Sequence, residues 1–122
     1  SFASAANYLK SIGWKKNQPC YYKINLKNNI PKKYLNSSAR KIINKRDLNF
    51  FKKYIENPET IKTSKNFSSA IIIPDKDIVP GAETLSPAYI IFDNYEKILN
   101  WNRSLRFALA VCTLKDSFED EI

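Results

Sequence analysis

The chain has 122 residues, 43% of them hydrophobic, and a formal net charge of +8 with no His. That is one domain or less with enough apolar mass for a core, and no stretch approaches the roughly 18 apolar residues of a membrane-spanning helix. The missing His excludes Ser-His and Cys-His nucleophilic chemistry within these residues, and two Cys without His make no zinc pattern.

The charge is uneven. Residues 1–66 hold 15 Lys and Arg against 3 Asp and Glu, whereas residues 67–122 hold 5 against 9. A basic half of this kind is either a solvated face or a surface for an anionic polymer, such as cell-wall glycan with its acidic peptides, or nucleic acid. Lys outnumbers Arg 16 to 4, and point-charge Lys suits loose attraction better than the forked readout of bases or phosphates. Cys20 and Cys112 are either one disulfide or two buried thiols; the sequence leaves both open.

Residues 1–12 predict a helix with Phe2, Ala5, Ala6, Leu9 and Ile12 near one face, Gly13 as the residue that ends it and Trp14 folding back. The chain has no Met and already begins inside this helical pattern, which suggests a piece of a longer protein. Residues 20–26 alternate, with Cys20, Tyr22, Ile24 and Leu26 on one side, as in a half-buried strand. A short helix is expected over 37–45, capped by Ser37 or Ser38, with Ala39, Ile42 and Ile43 inward. Asp47 caps a second one, in which Leu48, Phe51 and Ile55 share a face, and Asn57-Pro58 stops it. Residues 69–73 and 88–92 are β-branched or aromatic runs that should pair as strands, joined by a polar loop over 75–87 containing Pro80-Gly81. Asp93-Asn94 reads as a turn, Tyr95 to Trp101 as a helical stretch, and about 103–118 as a closing helix buried on more than one side. Helices around a small group of strands give an α+β class.

Two stretches carry a resemblance. The first is Ser4-Ala5-Ala6-Asn7-Tyr8-Leu9 with Gly13-Trp14; the second runs from Ala70 to Leu114 and includes Asn94-Tyr95, Ile98, Trp101-Asn102-Arg103-Ser104 and Phe107-Ala108-Leu109-Ala110-Val111. Together they resemble the C-terminal portion of the lytic murein transglycosylase B family. The match lies at the two ends of the chain, and residues 27–66 are compatible only in pattern. The resemblance implies lysozyme-like C-terminal helices enclosing a small antiparallel β subdomain, as a fragment of a larger catalytic domain: a core helix over 1–14, the β subdomain over about 15–92 and closing helices over about 93–118.

The resemblance also implies an activity. Such enzymes cleave the β-1,4 bond between N-acetylmuramic acid and N-acetylglucosamine, leaving a 1,6-anhydro end, with one Glu acting first as acid and then as base. In the family that Glu, a pair of arginines and a calcium loop lie upstream of the Ser4–Trp14 segment. No catalytic residue, metal ligand or cofactor is therefore expected here, and Glu56, Glu59, Glu83, Glu96, Glu119 and Glu121 have no catalytic counterpart. What carries over is one wall of the glycan groove. Asn102 would hydrogen-bond a saccharide, Trp101 and Phe107 would offer aromatic walls, and Tyr8 would line the same groove. Phe107 stands where some relatives have Tyr, which removes a hydroxyl.

By resemblance the partners are peptidoglycan strands and the absent N-terminal catalytic part, with no nucleic acid and no transmembrane segment. The resemblance also implies a location in the periplasm or in association with the outer membrane. Plainer readings stand beside these: Asn102 as N-cap of the last helix with Ser104 as alternative, Trp101 and Phe107 as core, and Tyr8 as structural. Two rival functions also stand: a non-catalytic peptidoglycan-binding or degenerate remnant, and a basic nucleic-acid-binding module using Tyr21, Tyr22, Tyr34 and Phe51.

Overall fold

The computed structural model describes residues 2–76 and 85–122. The Pro80-Gly81 part of the predicted loop and the side chain of Phe2 lie outside the described residues.

Helix α1 (Phe2–Ser11) buries Ala6 and Leu9. It ends as the sequence predicts. Gly13 adopts φ +91°, its N–H bonds the Lys10 carbonyl at 3.1 Å, and the Trp14 N–H bonds the Leu9 carbonyl at 3.0 Å. This closes the orphan carbonyls of the last turn, and the buried Trp14 indole packs edge-on against Phe118, centroids 6.3 Å apart. Its Nε1 then donates to Glu119 at 3.1 Å.

The strands are β1 (Tyr21–Ile24), β2 (Leu35–Asn36), β3 (Arg46–Asp47), β4 (Ser68–Ile72) and β5 (Ala88–Ile91). The expected pairing of the two apolar runs is present: β4 and β5 are antiparallel, with Ile71 opposite Ile90. β1 pairs antiparallel on the far side of β5, β2 adds a short parallel edge to β4, and β3 pairs antiparallel with β4. The small antiparallel sheet thus carries one parallel edge that the sequence did not announce.

Both faces of this sheet are covered, which is why its strands read as continuous apolar runs. Ala70, Ile72 and Ile91 face a core built with α1, α3 (Asp93–Trp101) and α4 (Leu105–Thr113). Ile71, Ile73 and Ile90 face a second core with Tyr34, Leu48, Phe51 and Ile55. Helix α2 (Leu48–Lys52) closes that second core and is capped by Asp47, whose carboxylate accepts from the Phe50 N–H at 2.9 Å.

Three expectations change. Residues 37–45 form no helix. The buried Asn36 carboxamide accepts from the Ile43 N–H at 2.9 Å and donates to the Ile43 carbonyl at 3.1 Å and the Ile71 carbonyl at 2.9 Å. A helix would need those Ile43 groups for itself, so the segment is irregular, bending at Ala39 and Arg40 and turning left-handed at Asn44, φ 58°. Ile43 is then exposed rather than inward.

Cys20 leaves the face of Tyr22, Ile24 and Leu26 and enters the helical core. There it is disulfide-bonded to Cys112, with the Cα atoms 5.8 Å apart. The open choice between bridge and two thiols is resolved as a bridge. Finally, the last helix stops at Thr113 and continues as two short 3-10 turns. Its buried stripe is the single set Leu105, Ala108 and Cys112, so it is not buried on several sides.

Candidate functional site

The site is assembled at the corner between α3 and α4. Asn94, read as a turn residue, is instead buried in the first turn of α3. Its side chain accepts from the Lys15 N–H at 2.8 Å and donates to the carbonyls of Lys15 at 2.8 Å and Gln18 at 3.3 Å, tying the helix to the segment after Trp14. Next to it, Tyr95 is fully buried and donates its hydroxyl to the Leu105 carbonyl at 2.9 Å. Burial pushes this phenol far above its ordinary range, so it acts as a fixed neutral donor spanning the corner.

Asn102 is the C-cap of α3, its N–H bonded to the Ile98 carbonyl at 3.0 Å. The N-cap of α4 is Ser104, whose Oγ accepts from the Phe107 N–H at 3.1 Å. The capping role weighed for Asn102 therefore falls to Ser104. Among the described residues the Asn102 carboxamide has no side-chain hydrogen bond, and the residue is half-buried.

Trp101 is 61% exposed and Phe107 38% exposed, so neither is core. The Trp101 ring meets Tyr8 of α1 edge-on, centroids 4.8 Å apart. Tyr8, Trp101 and Phe107 line one hollow of about 300 Å³, floored by Leu9, Val111 and Phe118. Three of the four residues singled out from the sequence thus meet in a single apolar depression. Asn102 lines neither this hollow nor the next one, of about 280 Å³, which is bounded by Arg103, Ser104 and Arg106 together with Ser37 and Ala39 of the irregular segment after β2. Arg106 is ion-paired with Asp75.

The Tyr8 hydroxyl is buried without a hydrogen-bond partner among the described residues, and desolvation raises its pKa. An unpaired buried hydroxyl costs about 1–3 kcal/mol. Tyr8→Phe is therefore expected to leave the melting temperature unchanged or to raise it, by up to about 1 kcal/mol in stability. A clear drop in thermal unfolding would show that the hydroxyl has a partner in solution.

The glutamates named from the sequence are structurally engaged where the structure describes them in contacts: Glu96 pairs with Lys45 at 3.1 Å, and Glu119 receives the Trp14 indole. Of the aromatics proposed for nucleic-acid stacking, Tyr34 and Phe51 are buried in the second core and present no free ring face.

The model of the transglycosylase SLT domain family matches residues 1–116. No match is found among curated proteins. Among solved structures, SltB3 from Pseudomonas aeruginosa shares the fold in two crystal structures, one in complex with NAG-NAM-pentapeptide and one with NAG-anhNAM-pentapeptide. Each superposes with a TM-score of 0.67 over 95% of this chain, at 23% and 24% identity respectively. The chain spans 29% of the length of SltB3.

Proposed function

Because the chain belongs to the transglycosylase SLT domain family, we propose that it is part of a peptidoglycan lytic transglycosylase and supplies one wall of the glycan groove. The whole enzyme would cleave the β-1,4 bond between N-acetylmuramic acid and N-acetylglucosamine and leave a 1,6-anhydro end. SltB3, whose fold the chain shares, has been crystallised with NAG-anhNAM-pentapeptide, a fragment carrying such an end. The acid–base Glu would come from a segment upstream of Ser1, which is also the chain's nearest expected partner. The division into a core helix over 1–14, a β subdomain over about 15–92 and closing helices over about 93–118 belongs to the same proposal.

The observation that supports the groove role is an exposed Trp101 next to an Asn102 carboxamide that has no hydrogen bond among the described residues. An indole stacks on the apolar face of a pyranose, and a carboxamide offers both a donor and an acceptor to hydroxyl or N-acetyl groups. Ser104 caps α4, and so Asn102 is left available. Tyr8 holds the indole edge-on, and Phe107 extends the apolar wall.

The test is titration with chitotetraose, followed by amide shifts at Asn102 and by indole fluorescence. Trp101→Ala is expected to weaken binding about tenfold or more, and Asn102→Ala about fivefold. Unchanged affinity in both variants would remove the groove role. The reading of the chain as a non-catalytic peptidoglycan binder predicts the same binding, but no cleavage once the upstream segment is restored. A periplasmic or outer-membrane-associated location is part of the proposal, supported by the Cys20–Cys112 disulfide, which needs an oxidising compartment.

A further inference from the structure

A second surface lies across the last turn of α4 from the aromatic hollow. A cavity of about 480 Å³ beside the disulfide is lined by Tyr21, Lys23, Lys62, Thr113, Lys115 and Asp116, among others. A neighbouring cavity of about 400 Å³ is lined by Lys16, Gln18, Lys62, Thr63, Lys65 and Phe67. Lys62 belongs to both, so the two form one track carrying Lys16, Lys23, Lys62, Lys65 and Lys115 against the single carboxylate of Asp116.

Among the described residues none of these five lysines is in an ion pair, although Lys62 Nζ donates to the Glu59 carbonyl at 3.1 Å. Like charges gathered without counter-charges raise the local potential and favour an anionic occupant. No Arg lines either cavity, so the walls offer point charges rather than forks.

The position selects the occupant. Cys112 and Thr113 of α4 face the basic cavity, while Val111 and Leu114 face the aromatic hollow. One helix therefore separates the two surfaces, a width of about 10–12 Å. An extended five-residue peptide reaches about 17 Å, enough to leave a sugar seated at Trp101 and cross that turn. We propose that the Lys23–Lys62–Lys115 cavity and its continuation to Lys16 and Lys65 is a subsite for the carboxylate-bearing peptide of the glycan strand. This rests on the peptidoglycan reading above.

The test uses the 122-residue chain at low salt with four probes: chitotetraose, NAG-NAM-pentapeptide with free carboxylates, the same compound with its carboxylates amidated, and an octathymidylate. The free-acid muropeptide is expected to shift the amides of Tyr22, Lys62 and Lys65. Its affinity should fall about fivefold on amidation, and about fivefold in the Lys62→Gln/Lys65→Gln double variant. Chitotetraose should shift Trp101 and Asn102 and be indifferent to the double variant. Equal affinity for free and amidated muropeptide overturns the subsite, as does tighter binding of the oligonucleotide to the same lysines. Chitotetraose that fails to bind, while the free acid still shifts Lys62, would overturn the groove role and leave the subsite standing.

Discussion

Reduction of the Cys20–Cys112 bond is expected to lower folding stability by about 3–5 kcal/mol. The bridge joins residues 92 apart in sequence, from the strand edge to the last helix. Cross-linking so long a loop removes much of the freedom of the unfolded chain, about 4–5 kcal/mol in the chain-entropy account. Both residues are buried, at 2% and 4% exposure, so a cut bridge also leaves two thiols in the helical core without opening a large void. Urea unfolding with and without reductant measures the effect. A Cys20→Ala/Cys112→Ala double variant should start from the lower stability and no longer respond to reductant. A midpoint that reductant does not move in the unmodified chain would show that the bond is absent in solution.

Replacing Tyr95 with Ala is expected to cost a further large amount, about 3–5 kcal/mol, because a fully buried aromatic leaves a cavity that its neighbours fill only in part. Tyr95→Phe isolates the hydroxyl and should cost about 1–2 kcal/mol, the worth of a buried hydrogen bond whose partner loses its donor. The consequence reaches beyond stability. The Tyr95–Leu105 bond spans the corner that holds Trp101 and Asn102, so Tyr95→Phe should also weaken chitotetraose binding at a temperature where the variant remains folded. Calorimetric melting gives the first quantity and titration the second. A variant that melts lower yet binds equally would separate the corner from the site.

Much of this architecture was legible in the sequence because it follows from local chemistry. The Gly13 helix end, the Asp47 cap and the pairing of the apolar runs 69–73 and 88–92 each depend on residues close together or on an apolar run that could lie only in a sheet. The Trp101–Phe107 segment was legible through its matched spacing, and its neighbourhood with Tyr8 follows from the packing of α1 beside the end of α3. What stayed hidden depends on long-range polar pairing. Asn94, next to Asp93, reads as a turn residue, and nothing in the sequence singles out Asn36. In the fold both are buried: Asn94 grips the N–H and the C=O of Lys15, 79 residues away, and Asn36 those of Ile43, seven residues away, together with the Ile71 carbonyl, 35 away. No local pattern announces these pairings. The assignment of the cap to Ser104 over Asn102 is a local matter, but two candidate capping residues two positions apart leave it undetermined in the sequence.

The doubly covered sheet has a consequence for how its strands find their alignment. A strand with one wet face is held in place by the penalty for turning apolar side chains outward, since a slip of one residue exchanges the faces. Strand β4 has little of that protection, because Ala70 and Ile72 on one side, and Ile71 with Ile73 just beyond the strand on the other, are all apolar and all buried. A slipped β4 would trade one greasy surface for another. The discrimination falls instead to groups that fit at one position alone: the Ser69 hydroxyl on the Arg46 carbonyl at 3.0 Å, the Asn36 carboxamide on the Ile71 carbonyl at 2.9 Å, and the small side chains of Ala70 and Ala88 where a larger one would not pack. In this sheet oil supplies the adhesion, and a hydroxyl and an amide act as the keys that choose the notch.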